Sequence, residues 1–197
     1  MSKVIGLHGK MHTGKSALAS IMRTMRPDQI AVMSFATKLR KVLHELHIPE
    51  NRESLQGVGQ NLRNFNSEVW VDAVKPEVKE NLSLGRIVVF DDVRYPNEFE
   101  YLRILGGLLV KLSADTEERW SRYKESTKFN SSTTKEIWLQ QQVHPSETML
   151  DKEPLDWSLD LDTTKMPRSD MGGIATALVL SVTGISTPSQ RNQPNGR

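Results

Sequence analysis

No cysteine occurs anywhere in the 197 residues, so the chain has neither disulfides nor thiolate metal sites. Also missing is any apolar run near the roughly 18 residues of a membrane span. The N-terminus leads straight into a strand-like run with no apolar signal stretch, and a soluble, cytoplasmic protein with no membrane partner is the expectation. Excess charge of one sign is absent as well: 26 Lys and Arg against 24 Asp and Glu leave a formal net charge of +2. So mild a balance argues against stable nucleic-acid binding and leaves anionic small molecules as compatible partners. No internal repeat is present, and the length suits a single domain with room for one or two insertions.

What is present is concentrated first at Gly9 to Ser16, which read G-K-M-H-T-G-K-S and complete the phosphate-binding pattern G-x-x-x-x-G-K-[ST]. The flanks supply the setting this pattern needs. Residues 3–8 form a strand-like apolar run, and Leu18, Ile21, Met22 and Met25 then fall on one face of a helix that should stop before Pro27. Gly9 and Gly14 let the backbone curl with its N–H groups inward, and the new helix brings its positive end to the same point. His12, Thr13, Gly14, Lys15 and Ser16 would surround the phosphates of ATP. Lys15 would reach the β and γ phosphates while the Ser16 hydroxyl ligates Mg²⁺.

Beyond the loop, strand-like and helical runs alternate, the signature of an α/β fold with a parallel sheet wrapped by helices. Further strands are expected at 31–35, 86–90, 108–112 and 157–161, giving a central parallel sheet of about five strands. Helices are expected at 35–46, from Pro96 to the Gly106-Gly107 pair, and at 174–182. Residues 50–84 read as helical without a strand, and residues 115–147 as polar with scattered aromatics. The domain is therefore drawn as 1–185, with 186–197 a low-complexity disordered tail.

The second chemical landmark is Asp91-Asp92, at the carboxyl end of the apolar strand 86–90, where ligands of α/β proteins bind. One of the two should serve Mg²⁺, with neither favoured over the other; the alternative is a helix-capping or turn aspartate. Arg94 follows closely enough to clamp an anionic substrate with a planar fork; the alternative is a surface arginine paired with Glu98 or Glu100. A guanine-reading N-K-x-D is absent, which argues against a GTPase. The two interruptions fall where small phosphoryl-transfer kinases carry an acceptor-binding insertion (50–84) and an arginine-bearing lid (115–147). Arg119 and Arg122 are the lid candidates, with Lys124 and Lys128 behind them, the alternative being a solvated helix face balanced by Glu117 and Glu118, and Arg63 joins Arg94 as an acceptor-phosphate candidate. Trp70 and Phe65 could stack on a base or line the sugar, or could pack the core. His44 and His47 share a helix face but lack a third metal ligand, and His144 suits either a substrate contact or a structural hydrogen bond.

Five blocks taken together resemble the deoxynucleoside monophosphate kinases of tailed bacteriophages. They are G-L-H-G-K-M-H-T-G-K-S (6–16), S-F-A-T-K-L-R-K (34–41), L-Q-G-V-G-Q-N-L-R (55–63) with V-W-V (69–71), D-D-V-R-Y-P-N-E (91–98) and H-P-S-E-T-M-L-D (144–151). The resemblance implies a P-loop kinase fold of the adenylate-kinase type. It also implies ATP and Mg²⁺ as cofactors, a deoxynucleoside monophosphate as acceptor, and a host-cytoplasm location if the chain is phage-encoded. Matched by position, Lys15 and Ser16 fall on the triphosphate loop, Gln56 and Arg63 on the acceptor insertion, and Arg94 on the strand-end arginine. Alternative readings are a kinase of a modified nucleotide or of a base within DNA, and a nucleotide-binding regulator without catalysis; a homodimer is left open.

Overall fold

The computed structural model describes residues 2–127, 129–152 and 154–184; the expected disordered tail and Lys128 lie outside them. Five strands, β1 (Val4–His8), β2 (Ile30–Met33), β3 (Ile87–Val93), β4 (Leu108–Ser113) and β5 (Leu159–Asp162), form one sheet in the order β2-β3-β1-β4-β5. Every pairing is parallel. Such sheets are covered on both faces, and alternate side chains here go to two separate cores. From β1, Ile5 and Leu7 join one core with α1 (Lys15–Met25) and α9 (Met171–Thr183). Val4 joins the other, with α2 (Ala36–Glu45), α4 (Val69–Ser83) and α5 (Pro96–Ile104). β3 divides likewise, Ile87 and Val89 to the first core, Val88 and Phe90 to the second.

Helix α3 (Arg52–Phe65) and α4 fill the stretch expected to be helical without a strand. Asn51 caps α3, its side chain accepting from the Ser54 N–H at 2.9 Å. α4 is no appendage, because Trp70, Val71, Val74 and Val78 are buried in the second core. The polar stretch after β4 folds into α6 (Thr116–Lys124), α7 (Lys135–Gln140) and the single turn α8 (Pro145–Thr148), followed by a 3₁₀ turn at Met149–Lys152.

Four boundaries differ from the sequence expectation. β3 continues through Asp91 and Asp92 to Val93, three residues past the apolar run. Phe35 is not part of β2 but precedes α2, stacked on Phe90 at 4.4 Å. β5 starts at Leu159, because Trp157 packs on His8 and Phe99 (ring centroids 5.0 and 4.8 Å). α9 begins at Met171 ahead of two helix-disfavouring glycines, since Met171 is buried in the first core. No described helix is long and apolar enough to cross a membrane.

Candidate active site

The site lies at the carboxyl ends of β1 and β3, where the chain from β1 leaves for β2 on one side and that from β3 crosses to β4 on the other. This is the switch point at which open parallel sheets bind ligands. Gly9 (φ 146°) and Gly14 (φ 102°) both hold backbone angles that favour glycine, and a side chain at Gly9 would collide with the Leu112 carbonyl. α1 has no side-chain cap, so its first N–H groups remain for an anion.

Lys15 is buried, its Nζ donating to the carbonyl oxygens of Gly9 (2.5 Å) and Lys10 (2.8 Å) within the loop. Burial, with the like charge of Arg94 adding to it, lowers its pKa to about 7. The Ser16 hydroxyl donates to Asp91 Oδ2 at 2.9 Å. Asp92 instead fixes the entry to α2, accepting from Ser34 Oγ (2.5 Å), Phe35 N (2.9 Å) and Ala36 N (3.1 Å). Burial and then the adjacent Asp92 raise the pKa of Asp91. A serine hydroxyl beside a carboxylate crowded by a second negative charge suits a hard divalent cation such as Mg²⁺. His8 carries the Nδ1 proton, 2.8 Å from the Val93 carbonyl, and burial above all keeps its pKa down at about 4.

Beside the loop opens a cleft of about 510 Å³ whose lining includes Met11 from the loop. Arg94 sits at its wall. Nη1 donates to the Ser146 carbonyl (2.9 Å) and to Glu147, while Nε and Nη2 make no hydrogen bond among the described residues. Neither expected surface partner holds it: Glu98 binds the Arg94 backbone N–H instead (2.8 Å), and Glu100 pairs with Arg103. Arg63 donates through Nη2 to Glu98 Oε1 (2.6 Å) and lies 3.7 Å above the Tyr95 ring. Gln56 is also in the lining. Trp70 reaches the lining from the core side, 4% exposed, its indole N–H bonded to the Gly59 carbonyl (3.2 Å). Phe65 is 92% exposed and outside the cleft, so it walls no sugar here.

The lid-side arginines part company. Arg122 binds the phosphate loop, donating through Nη1 to the His12 carbonyl (3.3 Å), and grips Thr163 on its other side. Arg119 is a correction to the expectation that it faces the phosphates. It is 5% exposed, and its guanidinium goes to the Ala114 carbonyl (3.2 Å), Thr116 and Gln142, with no described contact to the loop. Trp138, fully buried, and Tyr123 both pack on His12. His144 takes the structural alternative as cap of α8, its Nδ1 accepting from the Ser146 N–H (3.2 Å), and also lines the cleft.

Sequence reasoning missed Arg40, Arg52 and Glu147, all in the lining. Arg40 and Glu147 lie inside two of the five family-like blocks, and Arg52 directly follows the capping Asn51. Arg52 joins three segments, contacting Met11 Sδ (2.9 Å), the Gln141 carbonyl and Glu147 (3.8 Å).

Residues 5–139 match the model of a family described as AAA domain. The chain belongs to that family. This AAA-domain protein is similar in structure to a putative kinase from Chloroflexus aurantiacus J-10-fl, at 16% identity over 94% of this chain and 100% of the other (TM-score 0.57). It is similar also to a sugar kinase from Janibacter sp. HTCC2649, at 14% identity over 95% and 99% of the two chains (TM-score 0.56). A third neighbour is deoxyadenosine kinase from M. mycoides with products dCMP and dCDP bound, at 12% identity over 90% and 99% (TM-score 0.50). No curated protein matches significantly. At such identities the likeness establishes the fold, the P-loop kinase fold with five parallel strands flanked by helices.

Proposed function

We propose that the protein transfers the γ-phosphoryl group of ATP to a deoxynucleoside 5′-monophosphate, giving ADP and a deoxynucleoside diphosphate. The observation that carries this reading is the cleft beside the phosphate loop, lined by Arg40, Arg52, Arg63 and Arg94. A monophosphate is an anion that must be brought against the triphosphate, another anion, so cationic side chains around the acceptor are a physical requirement. The cavity, about 510 Å³, has the size of an ordinary small-ligand site. The resemblance of the five blocks to phage deoxynucleoside monophosphate kinases supports the same acceptor, and a neighbour of this fold, a deoxyadenosine kinase, holds deoxynucleotides as its products.

In this reading Lys15 exchanges its loop carbonyls for the β and γ phosphates, and the loop N–H groups hold the remaining oxygens. Ser16 and Asp91 would hold Mg²⁺, which neutralises charge on the phosphate oxygens. Arg94, fixed through Nη1, offers its Nε and Nη2 edge to the acceptor phosphate, with Arg63 alongside. Gln56 and Trp70 bound the sugar and base side. Arg122 steadies the loop through the His12 carbonyl, and residues 115–147 close over both substrates to exclude water. Rate then comes from alignment and charge, with no protein nucleophile.

The test is incubation with Mg-ATP and a panel of ribo- and deoxyribonucleoside monophosphates. ADP release should depend on a monophosphate, with at least one deoxy acceptor preferred over its ribo counterpart by roughly ten- to two-hundredfold, the range that steric exclusion of one hydroxyl yields. If no monophosphate stimulates ADP release above the ATP-alone background, the reading is wrong. Release that needs DNA polymer, with steep salt dependence, would identify the DNA-acting alternative.

A further inference from the structure

Glu98 is 1% exposed, and its two oxygens serve different segments. Oε1 accepts from Arg63 Nη2 at 2.6 Å, and Oε2 accepts from the backbone N–H groups of Arg94 (2.8 Å) and Tyr95 (3.2 Å). One carboxylate thus ties an α3 guanidinium to the peptide that carries the strand-end arginine. The Tyr95 ring lies beneath the same guanidinium at 3.7 Å, so Arg63 is held from its edge and its face. The Arg63 Nε is buried without a partner, and the Arg63 side chain makes no hydrogen bond among the described residues other than that to Glu98. A buried N–H donor in the lining of a cleft costs free energy unless something accepts from it.

We propose that Glu98 is a positioning residue for the acceptor-phosphate clamp, setting Arg63 and Arg94 at a fixed separation so that both reach one phosphate. The inference rests on the monophosphate-acceptor reading. The competing role is helix capping: Glu98 is the third residue of α5 and accepts from the N–H of Tyr95, which precedes it. Capping alone needs one acceptor oxygen and no charge. A fully buried carboxylate is an expensive way to supply it, and burial, opposed by Arg63, raises the Glu98 pKa to about 7. A buried ion pair contributes little net stability, and in some proteins such a pair fixes geometry instead.

The experiment separates charge from capping. Glu98→Gln keeps the size and one oxygen for the capping N–H groups but removes the charge and turns an amide toward Arg63. The expected result is an acceptor KM raised by about tenfold or more with the ATP KM within about twofold of wild type, the pattern of lost acceptor binding. The Arg63→Met variant and the double variant Arg63→Met/Glu98→Gln should share one acceptor KM, because Glu98 acts through Arg63. An unchanged acceptor KM in Glu98→Gln overturns the inference, as does a parallel rise in both KM values or a double variant worse than Arg63→Met alone. If Glu98→Gln fails to fold, the two Arg63→Met proteins carry the comparison, since the double variant leaves no unpaired buried charge. Wild-type enzyme that ignores every monophosphate removes the acceptor reading and this inference together, whereas active wild type with an unaffected Glu98→Gln removes this inference alone.

Discussion

Asp91 and Asp92 are chemically identical neighbours with unlike surroundings, because successive side chains on a strand point to opposite faces. Asp91 meets the Ser16 hydroxyl, and Asp92 accepts three hydrogen bonds at the start of α2. Asp92→Ala should therefore cost about 1–3 kcal/mol in thermal or denaturant unfolding, the range for losing a cap or stranding buried donors. Asp91→Ala should unfold near the wild-type midpoint yet lose Mg²⁺-dependent turnover at every Mg²⁺ concentration the wild type uses. A fully active Asp91→Ala protein would refute its metal role. Lys15 yields a prediction with a pH sign. Its folded pKa of about 7 lies below the ordinary lysine value of about 10.4. The folded state therefore binds fewer protons between those two values. Burying the ammonium opposes folding fully below pH 7, and the penalty shrinks as pH rises toward 10. Lys15→Met should accordingly gain most in melting temperature over wild type near pH 6 and least near pH 9, while turnover falls by at least about a hundredfold. A pH-independent difference in melting temperature would count against this account.

At the scale of elements, the stretch between β4 and β5 combines an anchored base with a loose span. Tyr123 of α6 and Trp138 of α7 pack on His12 and on each other, which explains why so polar a segment folds at all. Between these helices the described residues are mostly exposed, with Lys135 tethered to Glu117. Few buried apolar contacts mean easy local opening. Trypsin should cut the free protein after Lys124 or Lys135, and a bisubstrate analogue joining ATP to a monophosphate should slow that cleavage several-fold. Equal cleavage with and without the analogue would argue against a lid. The aromatic base explains the misplaced arginine too. Arg119 and Arg122 share a helix face at i and i+3, but the burial of Trp138 draws Arg119 inward beside it (5.4 Å) and leaves Arg122 at the loop.

Across the whole molecule, local pattern determined the elements and the triphosphate loop. Short continuous apolar runs mark the strands, the i, i+3, i+4 face marks α1, and Gly9, Gly14, Lys15 and Ser16 are close enough in sequence for one turn to bring them together. What the sequence left open are pairings between distant segments. Ser16 meets Asp91 across 75 residues, Arg63 meets Glu98 across 35, Arg94 meets Glu147 across 53, and Arg52 meets Gln141 across 89. Periodicity says that a residue is on a face and says nothing of what lies opposite it. That is decided by the strand order, in which β3 inserts between β1 and β2 and carries Asp91 beside the loop and Arg94 beside the cleft. The sequence by itself thus determined a parallel α/β fold with a phosphate loop, because those follow from local propensity and spacing. Only the tertiary structure chose Asp91 over Asp92 as the neighbour of Ser16, withdrew Arg119 into packing and brought Arg40, Arg52 and Glu147 to the cleft, because those outcomes depend on which surfaces the crossovers bury against each other.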